Sequence, residues 1–226
     1  MVRPLAAFVE AENDLARLGW LKLTDDETIE YQIDDDAPLS HEQCLPFESL
    51  STDGGAYSPE HGCENITVDD VSCYSSELGN SAAVNVIAKY AGRGSCTIES
   101  VTIRTPTEGY NSPVAQAIVF ASLGVPSLEK LVSFDEVRNE HDFEQEVVRW
   151  SQQAQMTPCM PKPVALVSMR GRCNVTMLAV IPRSCKYAVI KLLRPRGSGD
   201  NIDVEYVGLH GWSGHHCCPC RAPRLD

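Results

Sequence analysis

Apolar and polar positions change their spacing several times along the chain, and each change marks an element. Over residues 5–20 the apolar side chains Leu5, Phe8, Val9, Leu15, Leu18 and Trp20 are separated by acids, which predicts a short amphipathic helix. Residues 24–62 are rich in Asp, Ser, Pro and Gly and predict extended loop, with one short strand at Thr28–Ile33. From Glu64 the texture becomes that of strands. Ala83–Tyr90 and Cys96–Thr105 alternate as half-buried strands do, and the glycines at 92 and 94 between them predict a hairpin. In the second run the parity slips between Ile98 and Val101, a slip that a β-bulge absorbs. Gln116–Ser122 predicts another strand.

Ser133–Gln155 differs from its surroundings. It lacks Gly and Pro, and Phe143, Val147 and Trp150 fall on one helical face, so a helix is expected near 140–153. Strands resume at Pro163–Ser168, Val175–Ile181, Lys186–Leu193 and Asn201–Leu209. In the last, Ile202, Val204 and Tyr206 should share one face and Asp203 and Glu205 the other. Seven or more closely spaced strands with a single helical insertion predict an antiparallel β-sandwich. A parallel sheet would need a helix after nearly every strand.

Composition refines this picture. The chain has 226 residues and a formal net charge of -12. Residues 1–70 carry 17 acidic and 3 basic side chains, a net -14, leaving +2 on the rest. Such an acidic front repels phosphates, so nucleic-acid binding is not expected. It is either a solvated extension or an arm that docks on a basic partner. No apolar stretch reaches the ~20 residues of a membrane span. The run Pro4–Val9 is too short and too closely followed by acids for a secretory signal, which predicts an intracellular, cytoplasmic protein. The ten cysteines are then expected as reduced thiols, with Cys96, Cys173 and Cys185 as small core residues.

Two stretches carry a resemblance. Glu64-Asn-Ile-Thr-Val-Asp-Asp-Val-Ser-Cys-Tyr-Ser-Ser76 resembles the early loop of galactose-binding-like jelly rolls, and 186–212 (KYAVIKLLRPRGSGDNIDVEYVGLHGW) resembles their terminal strand pair. The group is the discoidin and Doc-type one, which includes the Doc-type subunit of the anaphase-promoting complex and similar domains of ubiquitin-ligase proteins. The family's usual Asp-Gly and Trp in the early loop are here Asp69-Asp70 and Tyr74. The resemblance implies a jelly-roll β-sandwich over 64–212, between an acidic extension over 1–63 and a Cys/His-rich tail over 213–226. It also implies binding without catalysis, through loops at one end of the sandwich.

Four sets of residues are candidates for that binding. In the early loop, Asn65, Asp69, Asp70 and Tyr74 have the oxygen donors for Ca2+, or equally the side chains that cap turns. The loop from Arg104 to Asn111 presents Arg104, Glu108, Tyr110 and Asn111, an aromatic ring beside an Arg fork suited to a planar or carboxylate ligand. Arg194, Arg196 and Asn201 flank a Gly-Ser-Gly turn and form a basic spot that suits an acidic peptide. In the tail, His215, His216, Cys217, Cys218 and Cys220 offer zinc or copper donors but no second separated pair to close a tetrahedral cage. Adjacent tail cysteines are also open to S-acylation. No G-x-S-x-G, H-E-x-x-H, G-x-x-x-x-G-K or G-x-G-x-x-G occurs. The expected function is therefore non-catalytic recognition of a protein or peptide, as an adaptor or scaffold subunit linked to ubiquitin ligation. The alternatives are a carbohydrate-binding module and a metal-binding subunit of a larger assembly. Saccharide binding requires Tyr74 and Tyr110 to be accessible. Protein recognition requires a patch joining the 104–111 and 194–201 loops.

Overall fold

The computed structural model describes residues 43–79, 83–154, 160–169 and 174–214. The expected helix over 5–20, the strand at Thr28–Ile33, Cys173 and the five tail metal candidates lie outside them.

Eleven strands and one α-helix make up the described fold: β1 (Gln43–Cys44), β2 (Phe47–Thr52), β3 (Tyr74–Ser75), β4 (Val84–Tyr90), β5 (Cys96–Arg104), β6 (Val114–Ser122), α1 (Glu140–Ala154), β7 (Lys162–Ser168), β8 (Val175–Cys185), β9 (Tyr187–Pro195), β10 (Asp203–Val204) and β11 (Tyr206–Ser213). They form a four-stranded sheet in the order β1-β11-β5-β8, a five-stranded sheet in the order β2-β4-β9-β6-β7, and the small pair β10-β3. Neighbouring strands run antiparallel throughout.

The period-2 pattern explains the layering. In β6, Ala117, Val119 and Ala121 enter the core between the sheets, while Ile118 and Phe120 point to the other side. In β9, Ala188, Ile190 and Leu192 face inward, and Val189 and Leu193 face outward. Both faces of the five-stranded sheet are therefore apolar, and the segment between β6 and β7 covers the outer one. Phe134 sits at the centre of that third layer, with ring centroids 5.0 Å from Phe120 and 5.4 Å from Trp150. Helix α1 presents Phe143, Val147 and Trp150 to it, as its spacing predicts. Asn139 and Asp142 cap the helix start: Asn139 Oδ1 accepts from the Asp142 N–H at 2.9 Å, and Asp142 Oδ2 accepts from the Arg138 N–H at 3.0 Å.

The bulge expected between Ile98 and Val101 is present. The register of β5 shifts between Ile98 and Ser100 against β8, and the β11 register shifts opposite the same residues. Three expectations need correction. The hairpin over residues 83–105 does not form, because β4 pairs with β2 and β9 while β5 pairs with β11 and β8. The turn at 92–94 instead carries the chain from one sheet to the other. The sandwich also takes in residues from 43 onward, since β1 pairs with β11 and β2 with β4. These strands are polar on one face, and a polar edge strand is hard to tell from loop. Lastly, residues 201–209 hold two strands, β10 and the start of β11, parted at Glu205, and Asp203 in β10 is buried at 1% exposure.

Candidate functional site

Strand directions bring three described connections to one end of the sandwich: 53–73, 105–113 and 196–202. The turn over 196–201 lies flush against residues 111–112. A Cβ on Gly197 would stand 1.9 Å from the Asn111 carbonyl oxygen, and one on Gly199 would stand 1.7 Å from Ser112 Oγ. The Arg196 N–H also donates to the Pro113 carbonyl at 2.7 Å. The structure thus joins the 104–111 and 194–201 segments, two of the expected candidates, at one rim.

Asp203 is what locks this junction. Its carboxylate accepts from the Ser112 N–H at 3.0 Å and from Asn201 Nδ2 at 2.8 Å. A buried carboxylate needs such donors to offset its desolvation. Asn201 is accordingly a buried strut at 7% exposure.

Arg104 ends β5 beside Tyr206, its register partner in β11, and its guanidinium carbon lies 5.1 Å from that ring's centroid. Each guanidinium nitrogen has a partner. Nε donates to Glu205 Oε1 at 2.6 Å, Nη1 to Asp69 Oδ1 at 2.7 Å and Nη2 to the Asp70 carbonyl at 2.8 Å. Arg104 fastens the early loop to the sheet and has no free fork for a carboxylate ligand, contrary to the sequence expectation.

The early loop is a set of turns. Asp70 Oδ1 accepts from the backbone and hydroxyl of Ser72, and these bonds hold its carboxyl below the usual range. Asn65 Nδ2 donates to the carbonyls of Glu60 at 2.7 Å and Cys73 at 3.0 Å. Among the described residues no three His, Cys, Asp or Glu side chains gather as a metal cluster. Tyr74 is fully buried, its hydroxyl 3.0 Å from Thr52 Oγ1 and donating to the Gly55 carbonyl at 3.1 Å. It is a core residue in β3 and presents nothing to a ligand, so of the two rings that saccharide binding was expected to expose only Tyr110 is accessible.

What the rim does expose is an aromatic row. His61 lies between Tyr57 and Tyr110, with centroid distances of 5.9 and 6.0 Å and edge-to-face angles of 85° and 73°. Tyr57 is 55% exposed and Tyr110 36%. Hydrogen bonds order the row. Ser58 Oγ donates to Glu60 Oε2 at 2.7 Å, so His61 Nδ1, 2.8 Å away, is the donor to Ser58. That leaves Nε2 to accept from the Tyr110 hydroxyl at 3.4 Å. Burial, then the neighbouring Cys73, pushes the Tyr110 phenol up. Glu108 and Asn111 are exposed beside Tyr110, and Asn111 Oδ1 accepts from Ser112 Oγ at 3.0 Å. Tyr57 and His61 were missed from sequence because 53–62 reads as linker, although Tyr, Pro and His in a Gly-rich stretch are the available signal.

Arg194 and Arg196 do not join the row. Arg194 Nη2 donates to Gln116 Oε1 and, at 2.6 Å, to the Arg138 carbonyl, which ties it to the helical layer. Arg196 Nη2 donates to Asn174 Oδ1 at 3.4 Å.

Solved structures similar to this chain include carbohydrate-binding modules. A CBM32 module from a family 31 glycoside hydrolase of Clostridium perfringens matches 73% of this chain and 90% of its own, at 10% identity and a TM-score of 0.51. The chain folds as a galactose-binding-like jelly roll. The family 32 module of C. perfringens NanJ, solved with galactose, matches 75% and 98% of the two chains at 11% identity and a TM-score of 0.50. A putative chitobiase fragment from Bacteroides thetaiotaomicron matches 84% and 100%, at 9% identity and a TM-score of 0.54. No family model matches the chain, and neither does any curated protein. These neighbours correct the expectation of a protein- or peptide-recognition adaptor linked to ubiquitin ligation, because the structures that share the fold are named for carbohydrate binding. Among the described residues no helix is long and apolar enough to cross a membrane.

Proposed function

We propose that this chain is a non-catalytic module that binds a neutral saccharide at the rim of the sandwich. The observation that carries the proposal is the exposed Tyr57–His61–Tyr110 row. Aromatic faces take the C–H side of a pyranose, and the polar groups beside them (Glu108, Asn111 and the outward lone pairs of the Tyr110 hydroxyl) take its hydroxyls. Glu60 interacts electrostatically with His61, Asp203 and Glu205 do so with Tyr110, Glu108 is exposed two positions from Tyr110, and the nearest cation in that loop, Arg104, is already met by Asp69 and Glu205. An acidic saccharide would be repelled there, which is why a neutral one is proposed.

Catalysis is not supported by the Cys73 thiol beside Tyr110. Burial, then the Asp203 carboxylate, pushes Cys73 up to about 12, so it stays protonated and is no nucleophile. The fold neighbours likewise support binding without chemistry.

A neutral-glycan array followed by titration calorimetry tests the proposal. Galactose- and N-acetylgalactosamine-terminated glycans are the first probes, since neighbours were solved with them. Tyr110→Ala and Tyr57→Ala should each weaken binding about tenfold or more, roughly 1.4 kcal/mol. Tyr74→Phe should leave affinity unchanged while lowering stability. Absence of neutral-glycan binding, or unaltered affinity in the Tyr57→Ala/Tyr110→Ala double variant, would overturn the proposal.

A further inference from the structure

Cys96 begins β5 and Cys185 ends β8, and the two are direct register partners across the antiparallel ladder. Directly opposed residues share a face, and both side chains point into the core between the sheets at 0% exposure. Their sulfurs stand 3.7 Å apart although the residues are 89 positions apart in the chain. We infer that Cys96 and Cys185 are a built cross-link site, which closes as a disulfide when the chain folds in the presence of a small-molecule disulfide.

The geometry needs little adjustment. A disulfide requires sulfurs about 2.05 Å apart and Cβ atoms roughly 3.5–4.5 Å apart. Opposed residues in an antiparallel pair have Cβ atoms about 4.5–5.5 Å apart, so small χ1 rotations and a slight approach of the strands suffice. The three other described free cysteines are differently placed: Cys44 is exposed beside Tyr206, Cys63 is half-buried against the core, and Cys73 bonds to backbone carbonyls.

The chemistry balances as two exchange steps. One protein thiolate attacks a sulfur of oxidised glutathione, forms a mixed disulfide and expels one glutathione thiolate. The second protein thiolate attacks the protein sulfur of that mixed disulfide, closes the bond and expels the second glutathione. Two protein thiols are oxidised and one glutathione disulfide is reduced.

Burial governs when this can happen. Both sulfurs are sealed from solvent at 0% exposure, out of reach of a dissolved disulfide, and the hydrogen bond between the two thiols, then burial, raises the pKa of Cys185. A bond in the same place is equally hidden from reductants. The redox state is therefore set as the chain folds and is retained afterwards. The bond would tie edge strand β8 to β5 at the point where the chain leaves for β9 in the opposite sheet.

The full chain, unfolded and reduced, is refolded with reduced and oxidised glutathione. Remaining thiols are blocked in urea and the digest is mapped by mass spectrometry. The expected product is a linked peptide pair holding Cys96 and Cys185, resistant to dithiothreitol in the folded protein and reduced by it in urea. Finding both cysteines blocked, or each joined to some other cysteine, would overturn the inference. Equally rapid reduction of the link in folded and unfolded protein would overturn the retention.

Discussion

Lys191 is 1% exposed on the outer face of the five-stranded sheet, in register between Asn85 of β4 and Ile118 of β6. Its ammonium donates to Asp135 Oδ1, at the end of the 3-10 segment Leu128–Phe134 that begins the third layer. This ion pair fastens the helical layer to the sheet. Asp135→Asn keeps the side-chain shape but leaves Lys191 as a buried charge with no counter-charge. Breaking a fully buried pair costs about 3–5 kcal/mol. The Asp135 side chain is 36% exposed, so water screens the pair in part. The expected loss is therefore about 2–3 kcal/mol, below the fully buried range. Lys191→Met removes the buried charge itself and keeps an unbranched chain of similar length. It should be neutral or stabilising by about 1 kcal/mol, because the desolvation cost disappears and Asp135 turns to solvent. Urea unfolding at about pH 7, with an m-value of roughly 2–3 kcal/mol/M, should lower the midpoint of Asp135→Asn by about 1 M and leave that of Lys191→Met unchanged or higher. The double variant should match Lys191→Met. If Lys191→Met loses as much as Asp135→Asn, or Asp135→Asn loses less than about 0.5 kcal/mol, the pair is not what holds the layer.

Two further outcomes follow from the rim. The Ser72 bonds hold the Asp70 carboxyl low in the folded state, so the stability it contributes is present above its unfolded pKa and is lost as pH falls through the folded value. A carbon-13 titration should place Asp70 below the usual range, and Ser72→Ala should raise it; an unperturbed Asp70 in the wild type contradicts the turn. With Cys73 pushed up to about 12, only about one thiol in 10^4 is ionised near pH 8. Iodoacetamide should label exposed Cys44 in the folded protein and reach Cys73 only in urea, and equal labelling rates would contradict the burial.

Local pattern made much of the frame legible. The slipped parity at Ile98 and Val101 foretold the bulge because side chains in a strand alternate strictly, and one extra residue is the only way to restore the face. The spacing of Phe143, Val147 and Trp150 foretold α1 because those positions align on a helix of 3.6 residues per turn. The candidate site was legible only in part: the 104–111 loop was found, but Tyr57 and His61 were not.

Alternation along the chain, then, determined that strands exist and which side chains share a face, since both depend on residues a few bonds apart. It did not determine which strands pair. Val84–Tyr90 and Cys96–Arg104 carry hairpin signals and still lie in opposite sheets, because burying two apolar faces against each other outweighs a local turn preference. Nor did it separate Tyr74, sealed in the core, from Tyr110, open on the rim, or show Asp203 as a buried strut. Each of those depends on what the rest of the chain lays over the residue. The row of Tyr57, His61 and Tyr110 exists only because the fold brings a Gly-rich segment and the loop after β5 to the same end of the sandwich.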